Sequence, residues 1–343
     1  MSIDSLAEKC SFEDIFSSTI QSIDLSTSFN PRSILLTGAQ GMVGNGLTKS
    51  LIQLQRTGSL STTKLYFASR QWKTELVDNH SERGNYLLVK NEDISDIRDP
   101  IELVIHTASP SNITKIGSYE ELQEVNLGIL RKIQKLQPKR VIFVSSGEVY
   151  GGKSVEESQG FNGFTKTKKR DWYALAKLQA EFEVREYSDR NGSSAGIIRL
   201  FHTFGPGVKR NDGRSFADIL WNSVTLKEIE LYSDGSQVRS FLYLADAIEA
   251  MLKIALSQES GVRVVNLGSD LPHTVYEFAQ LVSGLTGSPI KVKTRSEFLH
   301  SPNEYIVPAL NAIHSYGWEP KVEIVEGIRR TLSWITKTTS MSN

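Results

Sequence analysis

Short apolar runs recur along the chain, spaced by longer stretches in which apolar and polar residues alternate with helical periodicity. The runs are Ser33-Ile34-Leu35-Leu36-Thr37, Leu65-Tyr66-Phe67-Ala68, Leu87-Leu88-Val89, Leu103-Val104-Ile105-His106, Val141-Ile142-Phe143-Val144, Gly196-Ile197-Ile198-Arg199-Leu200 and Val264-Val265-Asn266-Leu267. Runs that are apolar throughout suit strands buried on both faces, as in a parallel sheet. Helix-length stretches at Asn45–Gln55, Glu120–Leu136 and Asp171–Tyr187 separate several of them. The alternation predicts an α/β fold: a doubly wound parallel sheet with helices on both faces.

The pattern weakens at both ends and in two internal stretches. Residues 1–30 are rich in Ser, Thr and Asp, with scattered apolars such as Phe12 and Phe16, and read as an extension carrying one short amphipathic helix. The sheet domain runs from 31 to 200 and takes back about 240–268. Residues 201–239 and 269–343 carry Gly-Pro and Asp-Gly turns and form a smaller C-terminal lobe over the carboxyl ends of the strands.

Composition narrows the functional classes. Of the 343 residues, Lys plus Arg number 39 and Asp plus Glu 39, so no global field attracts nucleic acid or an anionic membrane. The single cysteine, Cys10, excludes an internal disulfide and a cysteine-based zinc site, and fits a reducing cytoplasm. No apolar run approaches the roughly 20 residues of a membrane span, and Met1-Ser2-Ile3-Asp4 lacks the order of a leader. The histidines show no metal-ligand spacing, so no metal is expected.

The first run leads directly into Gly38-Ala39-Gln40-Gly41-Met42-Val43-Gly44, which opens a helix. One glycine permits the tight turn, one lets backbone approach a pyrophosphate, and one lets helix and strand pack closely. A diphosphate then meets unpaired N–H groups at a helix N-terminus. This is the signature of a Rossmann-type site for NAD or NADP. An acidic residue at the end of the second strand would favour NAD; the chain has Ser69 and Arg70 there. Serine removes repulsion toward a ribose phosphate and Arg70 can bind it, so the position leans toward NADP. Asp93 and Ile94, after the third strand, are candidates for the adenine end.

Further along, Val144-Ser145-Ser146-Gly147-Glu148-Val149-Tyr150-Gly151 follows a strand, and Tyr173-Ala174-Leu175-Ala176-Lys177 lies on a predicted helix. Tyr173 and Lys177 are one turn apart and project from one face. An ammonium beside a phenol favours the phenolate, which can take a hydroxyl proton while hydride leaves carbon. Ser146 can donate a hydrogen bond to the reacting oxygen.

With these stretches and with Leu36-Thr37-Gly38-Ala39, Val104–Ser109, Arg199–Gly207, Gly235–Phe241 and Gly317–Pro320, the chain resembles an extended short-chain dehydrogenase/reductase of the NAD-dependent epimerase/dehydratase family from about Ser33 to Ile335. The resemblance implies a nucleoside-diphosphate sugar as substrate, oxidised transiently at C4. It places Thr107, Ala108, Ser109, Leu200, His202 and Thr203 beside the cofactor, with Ser109 and His202 also toward the sugar. Asn126 is implied as a supporting polar group. Asp212-Gly213-Arg214 and Arg239 are implied near the substrate's diphosphate, where an arginine fork can donate paired bonds. The pair Glu120–Leu136 and Asp171–Tyr187 resembles the face on which relatives form homodimers.

Glu148 bears on the chemistry after oxidation, because a base beside C5 can take a proton that a C4 ketone has made acidic. In family dehydratases the Ser/Thr is followed by Asp-Glu, and in UDP-glucuronate decarboxylases by Ser-Glu; here it is followed by Gly147-Glu148. Gly147 is expected to leave extra room for the sugar. The decarboxylases also resemble this chain around Tyr305-Ile306-Val307-Pro308-Ala309, but with Arg where Ile306 stands; either Arg295 compensates or the substrate differs. Decarboxylase- or dehydratase-type chemistry at C5/C6 is therefore the first expectation. Epimerisation or keto-sugar reduction is the second, and a non-catalytic dinucleotide sensor the third.

Overall fold

A computed structural model of the protein describes residues 29–72, 85–110, 116–151, 169–293 and 305–340. The helix expected before residue 28 and Arg295 lie outside the described residues. Every apolar run of the sequence becomes a strand of one sheet. In chain order the first half comprises β1 (Ser33–Thr37), α1 (Met42–Arg56), β2 (Lys64–Ser69), β3 (Tyr86–Lys90), β4 (Leu103–His106), α2 (Tyr119–Lys135), β5 (Arg140–Ser146), α3 (Lys169–Asn191) and β6 (Ser194–Leu200). The second half adds β7 (Thr203–Phe204), α4 (Ser215–Thr225), β8 (Ile229–Leu231), β9 (Val238–Ser240), β10 (Leu242–Tyr243), α5 (Leu244–Leu256) and β11 (Val262–Leu267). It closes with β12 (Pro272–Thr274), α6 (Val275–Thr286), β13 (Ile290–Val292), β14 (Tyr305–Ile306), α7 (Asn311–His314) and α8 (Ile324–Ser340).

The main sheet has seven strands in the order β11-β6-β5-β4-β1-β2-β3. All of its pairs are parallel. Central β1 is buried at every position, while edge strand β3 leaves Leu87 exposed. After β3 the chain returns to the other side of β1 to form β4, and this reversal opens a crevice at the carboxyl ends of the strands. The helix termini suit their dipoles: Ser118 caps α2, with Glu120 and Glu121 in its first turn and Lys132 and Lys135 in its last.

Residues after β6 build three small sheets, β10-β7, β12-β9-β14 and β13-β8. They do not bury a separate core. One apolar cluster joins Leu36, Leu47 and Leu51 of β1 and α1 to Met251 of α5, Phe278 of α6, and Ile328 and Leu332 of α8. A second cluster fills the opposite face of the sheet, with Leu127 and Leu130 of α2 and Ala180 and Val184 of α3.

Candidate active site

The glycine turn has the geometry its spacing predicts. Gly38 has φ +76°, and a Cβ there would stand 2.7 Å from the Ala108 nitrogen. A Cβ on Gly44 would stand 2.0 Å from the Gly38 carbonyl oxygen, which already accepts the Gly41 N–H at 2.9 Å. Helix α1 begins immediately, with no side-chain cap and no acidic residue in its first turn. Its N-terminal N–H groups therefore face the crevice without a competing anion, as a bound diphosphate requires. These residues fit a dinucleotide.

A cavity of about 480 Å³ adjoins this turn. Gly41, Met42, Val43 and Gly44 line one end, and Thr107 and Ser109 follow β4. Ser146, Gly147 and Glu148 line it from the end of β5, Tyr173 and Lys177 from α3, and Leu200, His202 and Thr203 from the end of β6. Arg214 enters from the N-terminus of α4. The structure thus brings together, in one crevice, residues spread over more than half the chain.

Local hydrogen bonds fix the orientation of these groups. Ser146 Oγ accepts the Glu148 N–H at 3.2 Å, capping the turn that carries Glu148. Ser109 Oγ donates to Asn126 Oδ1 at 3.2 Å, and Asn126 Nδ2 donates to the Leu122 carbonyl at 2.8 Å. Asn126 is fully buried, so it acts on the cavity through Ser109. Arg214 makes a two-pronged ion pair with Asp212, its Nη2 2.9 Å from Oδ2, and its guanidinium lies 4.7 Å from the Phe216 ring centre.

Lys177 is almost fully buried, and its Nζ donates to the Val144 carbonyl at 3.0 Å. It lies 4.9 Å from the Phe143 ring centre and 5.8 Å from that of Tyr173. Burial pushes its pKa down to about 7, against the attraction of Glu181. The Tyr173 phenol is pushed above its ordinary range. Burial is the chief cause and the Glu148 charge adds to it, while Arg214 and hydrogen bonds with Ser109 and Ser146 oppose it. In the protein by itself desolvation dominates, and a bound cationic ring would act against it. His106 behaves as a core residue: it stacks on Phe143, its Nδ1 lies 2.6 Å from Thr37 Oγ1, and burial followed by the nearby Lys177 charge lowers its pKa to about 3.

One expectation, at Gly147, is corrected. Gly147 does not leave room for a ligand, because a Cβ there would stand 2.8 Å from the Phe201 ring, which fills the space. Arg239 is not among the residues that line this cavity. It is buried in β9, its Nη1 donating to the Val238 carbonyl at 2.8 Å, with Ile306 of β14 and His273 of β12 at its register. Ile306 itself lines the cavity beside Phe201 and adds an apolar wall.

The remaining candidates lie away from the cavity. Gly38, Gln40 and Ala108 shape the turn and its neighbour strand. Ser69 Oγ donates to the Gln71 carbonyl at 3.0 Å, and Arg70 and Asp93 are exposed at the ends of β2 and β3. The Ile94 side chain packs in the core with Leu35 and Tyr66. Sequence reasoning missed Pro110, Ser145, Phe201 and Lys209, all of which line the cavity. Lys209 stood just beyond the Gly205-Pro206-Gly207 stretch and could have been found by extending it. Among the described residues no helix is long and apolar enough to cross a membrane, and no group of three His, Cys, Asp or Glu side chains is placed to hold a metal ion.

This fold and crevice define a class of dinucleotide-dependent proteins, and comparison with known proteins agrees. The model of the NAD dependent epimerase/dehydratase family matches residues 34–268. UDP-glucuronic acid decarboxylase 1 of Xenopus tropicalis is 27% identical over 312 residues, covering 89% of this chain and 72% of the relative. UDP-glucose 4-epimerase from Thermotoga maritima, solved with UDP-glucose, superposes with a TM-score of 0.74 at 21% identity, over 90% of this chain and 99% of that one. UDP-glucuronic acid 4-epimerase from Bacillus cereus, solved with UDP-glucuronic acid and NAD, gives a TM-score of 0.75 at 17% identity, over 89% and 99%. The chain belongs to the NAD dependent epimerase/dehydratase family.

Proposed function

We propose that the protein modifies a nucleoside-diphosphate sugar by transient oxidation at C4, followed by decarboxylase- or dehydratase-type chemistry at C5/C6. The observation that carries this reading is the meeting of Ser146, Glu148, Tyr173 and Lys177 in one cavity beside the glycine turn. Gly38 through Gly44 would hold the dinucleotide, with Thr107, Ser109 and Lys177 along its nicotinamide half. Bound there, it supplies the hydride acceptor. Ser146 donates to the C4 oxygen, and Tyr173 takes the C4 hydroxyl proton. The Lys177 ammonium favours the phenolate. In the dehydratase-type branch Glu148 takes the C5 proton that the C4 ketone has made acidic; in the decarboxylase-type branch the C5–C6 bond breaks, carbon dioxide leaves while its bonding electrons pass to the C4 enolate, and C5 then receives a proton. Lys209 and Arg214 supply the cations for the diphosphate.

The apolar wall of Phe201 and Ile306 favours a second reading, epimerisation of an uncharged sugar, because it offers no charge to a carboxylate. Incubation with a panel of nucleotide-sugars separates the readings by product mass: loss of carbon dioxide, loss of water, or no change. Unchanged turnover in Glu148→Gln would remove the C5 chemistry from the proposal.

Three finer assignments belong to the same reading. The cofactor is NAD or NADP, with Ser69 and Arg70, where a carboxylate would select NAD, leaning toward NADP; mass analysis of the released dinucleotide tests it. The protein is a cytoplasmic homodimer formed on α2 and α3, supported by Phe182 and Leu175, exposed on α3; sedimentation showing only monomer would refute the dimer. Residues 201–239 and 269–343 form the sugar-binding lobe.

A further inference from the structure

Behind the cavity lies a chain of buried polar groups that none of the assigned roles uses. Ser145 Oγ donates to Glu181 Oε1 at 2.5 Å. Arg199 grips the same carboxylate with two bonds, Nε to Oε1 at 3.1 Å and Nη2 to Oε2 at 2.8 Å. Its Nη1 donates to Tyr150 Oη at 2.9 Å. Tyr150 in turn donates to Asn266 Oδ1 at 2.8 Å, and Asn266 Nδ2 donates to the Ala309 carbonyl at 3.3 Å. Every side chain in the chain is buried. The ion pair is exposed at only 8% on Arg199 and 4% on Glu181, too little for solvent to screen it.

The connections are informative. Ser145 precedes Ser146, Tyr150 ends the turn that carries Glu148, and Glu181 follows Lys177 by one helical turn on the same face of α3. Asn266 reaches the segment that begins with Ile306. Each element bearing a reacting group therefore carries one member of the network. A buried ion pair gives little net stability over a well-packed apolar pair, so stability alone does not account for one at this place.

We propose that Glu181 and Arg199 are positioning residues, which hold Ser146, Glu148 and Lys177 in one frame and whose opposed charges set how firmly Lys177 keeps its proton. The proposal rests on Lys177 acting as the cation beside Tyr173, and not on which sugar is bound. The charged and titratable groups around Lys177 are Glu181 and Tyr173 on its own helix, and His106 from β4, which stays neutral. Glu148 and Arg214 line the same cavity as Lys177, and Arg199 of β6 is linked to it through its pair with Glu181. Glu181 is the anion that attracts the ammonium through the protein interior, and Arg199 tempers it.

The two members must then have opposite effects. In Glu181→Gln the attraction is lost and Arg199 stands uncompensated, so Lys177 releases its proton at lower pH. In Arg199→Met the carboxylate acts undiluted, and Lys177 holds its proton to higher pH. Each change is expected to be about one pH unit, the size typical of one buried neighbouring charge. The readout is the pH dependence of trace acetylation of Lys177 by acetic anhydride in the purified protein, followed by peptide mass spectrometry; it needs no substrate. Midpoints that fall for Glu181→Gln and rise for Arg199→Met support the proposal. Midpoints equal to the parent's, or moving together, overturn it as a merely structural pair. If Arg199→Met does not fold, Arg199→Lys decides. It keeps the cation but loses the fork, so its midpoint stays with the parent's while kcat falls at unchanged KM, and a midpoint matching that of Glu181→Gln overturns the proposal.

Discussion

Gly44→Ala tests whether the glycine turn is built to the limit of backbone approach. The added Cβ would stand 2.0 Å from the Gly38 oxygen, 2.7 Å from its carbonyl carbon and 3.0 Å from Thr107 Oγ1. An ordinary carbon–oxygen contact begins at about 3.3 Å, so α1 or the turn must retreat by more than roughly 1 Å. Neither is free to do so, because the Gly38 N–H is tied to the Ala68 carbonyl at 2.9 Å and its oxygen to Gly41. Overpacking of this kind costs about 1–3 kcal/mol, and the severity of the overlap points to the upper end. For a chain of this size that is a fall in Tm of about 5 °C. A ligand at 100 times its Kd stabilises the parent by about 2.7 kcal/mol, and the variant should lose most of that gain, since in the proposed reading the displaced turn seats the diphosphate. Thermal melts with and without NAD or NADP measure both effects. Gly284→Ala is the control: its Cβ meets nothing within 4 Å in α6, and helix propensity should stabilise it by up to about 1 kcal/mol. Equal melting temperatures and equal dinucleotide responses in parent and Gly44→Ala would refute the close-approach argument.

Tyr173→Phe should retain dinucleotide binding while kcat falls by roughly 100-fold or more, the usual weight of a general base; undiminished conversion of accepted nucleotide-sugars would remove Tyr173 from the chemistry. Lys177→Met should lose turnover yet gain thermal stability at neutral pH. The folded pKa of about 7 lies below the unfolded value of 10.5, so the ammonium costs stability below pH 7 and that cost fades as pH rises from 7 to 10.5; melts across pH 6–11, by contrast, should show no such slope in the variant. Glu102 is held at about 2: burial opposes this, but the Arg32 N–H and the Lys139 and Arg32 cations prevail. Its contribution is therefore complete above pH 4.5 and lost as pH falls toward 2, so Glu102→Gln should lower Tm at pH 7 and match the parent near pH 2, as chemical denaturation at both values would reveal.

The sheet was legible because its strands are short apolar runs set between helix-length amphipathic stretches, and length and spacing together separate the two. β1 and β4 matched their runs end for end. The grouping of the candidate residues in one cavity was legible because a glycine turn, a strand-end serine and a helical Tyr/Lys pair reinforce one another. Phe201 over Gly147 was not legible: a missing side chain reads as space until the fold supplies the ring that fills it. Glu181 and Arg199 were hidden for a different reason. A glutamate one turn after a lysine resembles a solvated helix pair, and only packing α3 against β5 and β6 turns it into a buried carboxylate. The ribose end stayed ambiguous because Arg70 is exposed and its neighbours do not fix its direction.

The apolar cluster that runs unbroken from α1 to α8 has a consequence for how such enzymes diversify. Leu47 and Leu51, beneath the cofactor turn, share contacts with the same body of side chains that supports the residues after β6. Exchanging the latter half for that of a relative would sever a core rather than a linker. Productive recombinants should therefore be rare unless α1 and α5, which pack on one another, are inherited together. Change in substrate range is more readily achieved by single residues at the crevice rim, such as Lys209 or Ile306, than by wholesale transplant.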